Sequence, residues 1–347
     1  MLSHSKILQA VLVGFIGLSS IAAGLSGCAS RGAKSESEGV IVGGGIHGAH
    51  DRSVLEEDFA RRPQRTSEQM ASATIVEYFD GAQIKDLELK FSSATVVVQK
   101  AHVPQWIVSI SPGLEHAHCN VKSERRTTGE QTIAVFEEVS RFSARRQTAS
   151  AIPNHSQCHF FVLIDVPEKI HESASVALKL VHGNVFFEDL ELRQAQIEVQ
   201  WGEVFLRNSK APQLQCDQCN VVGLNVFGAF VLALYEGSVA LENETPSQAL
   251  QVVGKVAGDV FLKLPHWNKQ QSQLELESTL GDINLDLSKS LKNHLELIPH
   301  GFSGAQLQAF GDASTEASAL KVNAKTNTGL VRVQFGGEAL PKQARRL

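Results

Sequence analysis

A glycine-led pentad that returns through the C-terminal half constrains this chain more than any other feature. Glycine comes first, then usually a polar residue, a β-branched residue, any residue and an apolar one. It stands as Gly183-Asn184-Val185-Phe186-Phe187, Gly202-Glu203-Val204-Phe205-Leu206 and Gly237-Ser238-Val239-Ala240-Leu241. It returns as Gly258-Asp259-Val260-Phe261-Leu262, Gly281-Asp282-Ile283-Asn284-Leu285 and Gly329-Leu330-Val331-Arg332-Val333. The gaps between these glycines are 19, 35, 21, 23 and 48 residues. Weaker copies at Gly223 and Gly304 divide the two long gaps, so the period is loose, roughly 20 residues.

An alternating segment often precedes the glycine: Val176-Leu178-Leu180, Ile197-Val199, Leu250-Val252, Leu274-Leu276 and Leu320-Val322. The unit is strand, corner, strand. Glycine accepts the backbone of a tight corner, and Asn or Asp beside it suits such turns. The third and fifth positions then face the same side. One unit cannot bury that side alone, but stacked units can. The expectation is an all-β fold, a right-handed β-solenoid (β-helix) of loosely 20-residue rungs. The alternative is a β-sandwich of hairpins, since glycine with a polar neighbour also opens hairpins. The long repeat favours the coil, because sandwich turns come about every 8–12 residues.

Upstream the pattern is also period two. Leu87, Leu89 and Phe91 alternate with polar residues, as do Ala94, Val96 and Val98, and Trp106, Val108 and Ile110. Phe161, Leu163 and then Asp165 mark another run, which ends at Val166-Pro167. These read as strands with one buried face. The run from Val162 to Pro167, followed by glycine units from Gly183 to Val333, resembles the bacterial putative-adhesin β-helix domains. The resemblance covers about Leu87 to Val333. It implies a β-helix and, by family name only, adhesion. The stretch from Pro112 to Gln157 and the cysteines lie outside the family pattern.

The N-terminus reads as an address. One charged side chain, Lys6, precedes an apolar run through Val11–Ile16 and Ile21–Ala23. The run is too short and too broken by Gly and Ser to span a bilayer, and has the layout of a secretory signal. It closes on Leu25-Ser26-Gly27-Cys28, which resembles the lipobox of bacterial lipoproteins. That resemblance implies cleavage before Cys28 and lipid attachment on its sulfur. Several acyl chains there give stable anchoring where one is marginal. Ala29 after the cysteine, where Asp favours the inner membrane in enterobacterial lipoproteins, points to the outer membrane, facing the periplasm or the cell surface. The expected divisions are a signal peptide at 1–27, a lipidated N-terminus and flexible linker at 28–72, the β-domain at 73–336 and a tail at 337–347. A short helix from Ser53 to Arg62 is expected within the linker.

Charge and cysteines narrow the function. The whole chain has 32 Lys+Arg against 37 Asp+Glu, and loss of the signal with Lys6 leaves 31 against 37. There is no basic surplus of the kind that drives nucleic-acid binding. Cys119, Cys158, Cys216 and Cys219 remain after Cys28, an even number that suits two disulfides in an exported chain. Three pairings exist, and the most natural is Cys216 with Cys219, leaving Cys119 with Cys158.

Other motifs invite sharper chemistry. Val40 to Ala49 carries Gly43, Gly45 and Gly48 in the spacing of an FAD- or NAD-binding fingerprint. The acidic residue ending a second strand that such a site needs within about 20 residues is missing, and the nearest candidate of that kind is Glu77. No βαβ pattern follows, so a glycine-rich tether is the better reading. His116, His118, His155 and His159 flank Cys119 and Cys158 and would suit zinc or copper if brought together, but neither segment has metal-finger spacing. Cys216-Asp217-Gln218-Cys219 has redox spacing, yet Pro212 and Val221-Val222-Gly223 give it a β context rather than a helix start. Asp259 and Asp282 would stack on neighbouring rungs as a polysaccharide-cleaving enzyme requires, although turn chemistry already accounts for both. No catalytic residue, cofactor or metal is assigned. The expectation is a membrane-anchored cell-envelope lipoprotein that displays a rigid surface to a glycan or an envelope protein. The alternatives are an envelope polysaccharide enzyme on the same fold and, distantly, a flavin or nicotinamide oxidoreductase.

Overall fold

The computed structural model describes residues 75–81, 83–112, 119–128, 131–139, 158–210, 212–244, 250–264, 272–289, 295–300, 304–309, 320–336 and 338–339. Cys28, the glycine fingerprint at 40–49 and the expected helix at 53–62 lie outside these residues. The described chain is all-β apart from one 3-10 turn at His171–Ser173. The early strands are β1 Ile75–Phe79, β2 Ile84–Ala101, β3 Trp106–Pro112, β4 Asn120–Thr128, β5 Gln131–Val139 and β6 Phe160–Pro167. The central strands are β7 Ser175–Glu188, β8 Gln194–Arg207, β9 Gln213–Leu224 and β10 Gly228–Glu242. Then come β11 Leu250–Val256, β12 Val260–Leu264, β13 Ser272–Ser278 and β14 Ile283–Leu287. Last are β15 Leu295–His300, β16 Gly304–Ala309, β17 Leu320–Thr326, β18 Val331–Phe335 and β19 Glu338–Ala339.

Pairing through the middle is parallel and in register. Leu178 of β7 lies beside Ile197 of β8, and Phe187 beside Leu206, a constant shift of 19 residues. The shift is 17 from β8 to β9, as in Ile197 beside Leu214, and 18 from β9 to β10, as in Leu214 beside Leu232. A chain that lies alongside itself after 17 to 19 residues has closed a circuit and advanced by one strand spacing, about 4.8 Å. A 14-residue strand cannot do this unless it bends. Each central strand therefore has a first arm, a bend and a second arm. Farther along, the two arms are separate strands: β11, β13 and β17 continue the first, while β12, β14 and β18 continue the second. At the other end β5 and β6 play the same two parts beside β2. This parallel ladder is not the hairpin pairing that a sandwich uses.

The six glycines of the pentad meet at the bend. Gly183 pairs with Gly202, Gly202 with Cys219, and Cys219 with Gly237. Gly202 has φ +155°, and a Cβ there would collide with the carbonyl oxygen of Gly183 one rung away. Rungs at strand spacing leave no room for a side chain at that point. The 35-residue gap thus holds one hidden rung whose corner is Cys219, not Gly223. Gly223 lies four residues on, between Leu206 and Leu241, where a Cβ would strike Val226 and Leu241. Gly304 is not a corner either. It begins β16, which runs antiparallel to β17, while β14 pairs directly with β18 across the 48-residue gap.

The interior is built from columns of like residues. Two places after each corner, Val185, Val204, Val221, Val239, Val260, Ile283 and Val331 lie side by side. All but Val331 are buried, and β-branched side chains pack well on such a pleated surface. In β6 the inward parity is Phe160, Val162 and Ile164, so Phe161 and Leu163 face the other way. They pack against a second buried cluster of Val97, Phe186, Phe205 and Val222, where the Phe186 and Phe205 rings stack at 4.6 Å.

Both ends of the ladder turn antiparallel. At one end β4 pairs with β5, β3 with β6 and β1 with β3. At the other, β16 pairs with β17, β15 with β16 and β19 with β18. The strand added to the first arm at one end, Asn120–Thr128, carries Lys122, Glu124, Arg125 and Arg126, charges that discourage edge-to-edge pairing.

Candidate binding surface

The outward faces of the two arms differ. On the second arm, outward positions from β2 to β10 are buried: Val97, Phe186, Phe205, Val222 and Ala240. Buried Glu188 forms an ion pair with Arg207, and buried Glu242 pairs with Lys263 at 2.5 Å. Charges withdrawn from water in this way need such partners. On the first arm, the outward residues of β8 and β9 are charged or amide-bearing, while β7 and β10 also present Ala177, Val231 and Ala233 there. Lys179 pairs with Glu198 at 2.9 Å on the next rung, and Lys255 with Glu277 at 3.5 Å. The Glu198 hydrogen bond raises the Lys179 pKa. On these rungs a partner can reach the first arm and the outside of the bend.

The bend itself carries aromatic side chains. His182, Trp201, Gln218 and Glu236 follow one another rung by rung. The His182 and Trp201 rings stack at 4.6 Å with 16° between planes, and the Gln218 amide donates to Glu236 at 2.7 Å. Trp201 is 40% exposed and Tyr235 66% exposed.

The residues singled out from the sequence fall as follows. Cys119 and Cys158 stand at disulfide distance, with Cα atoms 5.7 Å apart, and so do Cys216 and Cys219, at 5.9 Å. Cys216 and Cys219 are buried in the first arm and at the corner of β9, far from any helix start. Of the four histidines only His159 is described. Its ring nitrogens meet the hydroxyls of Ser93 at 2.8 Å and Thr95 at 3.0 Å, and partial burial lowers its pKa. Among the described residues no group of three or more His, Cys, Asp or Glu is placed to hold a metal ion. Glu77 lies on β1, antiparallel to β3, in a setting without βαβ units among the described residues.

Asp259 and Asp282 do stack on neighbouring rungs, but one oxygen of Asp259 and both of Asp282 are engaged. Asp259 accepts the Asp282 N–H at 2.8 Å, and Asp282 accepts the Leu330 N–H at 2.8 Å and an Arg332 N–H at 2.5 Å. The Leu330 bond first, and Arg332 second, hold the Asp282 pKa below the ordinary aspartate value. This is corner chemistry, with each carboxylate fastening the next rung.

A second polar ladder went unread in the sequence. Asp189, Asn208 and Asn225 have φ of 54°, 46° and 53°. Asn208 donates its side-chain amide to Asp189 at 2.9 Å, and Asn225 donates to Asn208 at 3.0 Å. Asn243 extends the series by accepting the Val226 N–H and donating to the Val226 carbonyl. The spacings of 19, 17 and 18 residues are those of the strand register, and this was the available signal.

No helix among the described residues is long and apolar enough to cross a membrane. No protein-family model matches the chain, and no curated protein does. Among solved structures it is similar to the crystal structure of a putative cell adhesion protein from Clostridium sporogenes ATCC 15579. The two are 10% identical with a TM-score of 0.32, over 75% of this chain and 98% of that one. A likeness that slight bears on neither fold detail nor role.

Proposed function

We propose that this chain is a bacterial lipoprotein, lipidated on Cys28, that displays its stacked β-ladder in the cell envelope as a binding or scaffolding surface of adhesin-like type. The observation that carries this reading is Leu25-Ser26-Gly27-Cys28 closing an apolar run ahead of an all-β domain. Residues 28–72 serve as the spacer between lipid and domain, and the outer membrane is the expected site. Cys119 with Cys158 and Cys216 with Cys219 form disulfides, as suits an exported chain. The ladder supports display because each rung is fixed by two neighbours and by the corner and asparagine ladders. Its exposed first arm offers the surface. An envelope polysaccharide enzyme draws no support from this pair, since Asp259 holds the Asp282 N–H and both oxygens of Asp282 hold the Leu330 N–H and Arg332.

Cell fractionation tests the reading. The native chain is expected in the membrane fraction with a lipid-bearing N-terminal Cys28, and Cys28→Ala should leave it soluble or uncleaved. An unchanged mature form in the membrane fraction of Cys28→Ala would overturn the lipoprotein assignment.

A further inference from the structure

We propose that the outer surface of β8 and β9, together with the bend beside it, binds a neutral glycan. The proposal rests on the display reading and names the ligand class of that surface.

Composition singles out these two rungs. Their outward positions carry six exposed glutamines: Gln194, Gln196 and Gln200 on β8, and Gln213, Gln215 and Gln218 on β9. The register sets Gln196 beside Gln213, Glu198 beside Gln215 and Trp201 beside Gln218. Gln196 and Gln213 are thus neighbours, with Gln215 beside Glu198; Gln196 also donates to Glu198 at 3.1 Å and Gln218 to Glu236 at 2.7 Å, which orients both amides. An exposed primary amide both donates and accepts, which matches the paired hydroxyls of a sugar and gives no preference for charge.

Aromatic rings border these amides. Trp201 ends the exposed part of the first arm on β8, and Tyr235 stands at the same bend on β10, two strand spacings or about 10 Å away. His182 stacks on Trp201 and fixes its indole, so the ring is ordered before any ligand arrives. The exposed Tyr235 ring, and the part of the Trp201 indole that His182 leaves open, offer apolar surface to the C–H face of a pyranose, while the neighbouring amides take its hydroxyls. The rung spacing of about 4.8 Å is comparable with the length of one pyranose unit, so successive sugars along the stack meet successive rungs.

Charge narrows the ligand. Lys179 is tied to Glu198 at 2.9 Å, and Asp217 and Glu236 add negative charge at the bend. Among the described residues this surface carries no cationic cluster for sulfate, phosphate or uronate groups, so a neutral polymer fits and an anionic one is repelled. On the second arm of these rungs the central outward residues, Phe205 and Val222, are buried, so the first arm is the more open side.

Affinity gel electrophoresis of the mature full chain tests this, with gels containing amylose, dextran, laminarin or xyloglucan, and heparin as the anionic polymer. At least one neutral polysaccharide should retard the protein. Trp201→Ala and Tyr235→Ala should each weaken that retardation by tenfold or more. Tyr235→Ala should leave the melting temperature unchanged because its side chain is exposed, while Trp201→Ala, which also loses its stacking on His182, should keep the far-ultraviolet circular dichroism of the folded chain. Gln196→Ala combined with Gln213→Ala should weaken it without removing a ring. Retardation by heparin alone, by none of the polymers, or by a neutral polymer equally in wild type and variants would overturn the proposal. The lipoprotein reading is decided separately, by fractionation of Cys28→Ala.

Discussion

Asn208 donates its side-chain amide to the carboxylate of Asp189 across 2.9 Å, and both residues hold left-handed backbone at the same corner of successive rungs. Each also gives its backbone N–H to the next rung: Asp189 to the Arg207 carbonyl and Asn208 to the Leu224 carbonyl. Asn and Asp tolerate this backbone better than other non-glycine residues. Asn208→Ala removes two side-chain bonds of the ladder and forces an alanine into left-handed φ. The expected loss is about 2 kcal/mol, read by denaturant unfolding. Asn208→Gly, which relieves the backbone but not the bonds, should lose less.

The corner glycines are set by contact with the neighbouring rung. In Gly202→Ala the new methyl meets the Gly183 carbonyl, so the rungs must part. A destabilisation of about 4 kcal/mol or more is expected, because the obstacle is backbone and cannot rotate away. Gly254→Ala meets only Leu232 side-chain atoms, the nearest 3.0 Å away, and should cost clearly less. Equal melting temperatures for the two variants would contradict this account of the bend.

Cys219 occupies a glycine position, and its partner Cys216 lies three residues earlier. Ser278 with Gly281 and Thr326 with Gly329 share that spacing: each hydroxyl accepts the glycine N–H and donates to the preceding corner carbonyl. Cys216→Ser with Cys219→Gly recreates this arrangement. It should recover part of the roughly 2 kcal/mol that loss of a short-loop disulfide costs. Cys216→Ser with Cys219→Ser should recover less. Mass spectrometry of the unreduced native chain should show both thiols oxidised.

How much was legible in the sequence depends on which rung is considered. The corner glycines and the inward third and fifth positions could be read, because they repeat in residue type. The rung cornered by Cys219 could not, since a glycine-based search finds Gly223 instead. Nor could the Gly304 segment, where a glycine opens an antiparallel strand. The parity of β6 was misjudged because Phe161 and Leu163 are apolar on an outward face that is itself buried. Alternation marks a strand but does not say which face is the core when both are apolar. The glutamine and aromatic surface was missed because it needs two strands laid side by side before Gln196 and Gln213 become neighbours.

Asp282 gives the ladder an acid sensitivity. Its folded pKa lies below the ordinary value, so it contributes stability above the ordinary aspartate range, and this is lost as pH falls through the folded pKa. Asp282→Asn keeps an acceptor for Leu330 but loses the Arg332 charge pair. The difference in melting temperature between wild type and variant should be present at neutral pH and shrink as the solution is acidified below the ordinary aspartate range. A difference that stayed constant through that range would remove the carboxylate from the account.

The most direct test of the parallel ladder uses spin-label distances along one outward column. Lys179, Glu198, Gln215, Ala233, Lys255, Glu277 and Lys325 lie side by side on successive rungs. With Cys28 replaced by Ala, labels at Lys179→Cys and Lys255→Cys span four steps, and labels at Lys179→Cys and Lys325→Cys span six. Backbone separations of about 19 Å and about 29 Å are expected, growing by one strand spacing per rung. Distances that fail to grow in that order, as antiparallel hairpins in a sandwich would give, would contradict the stack on which the displayed surface depends.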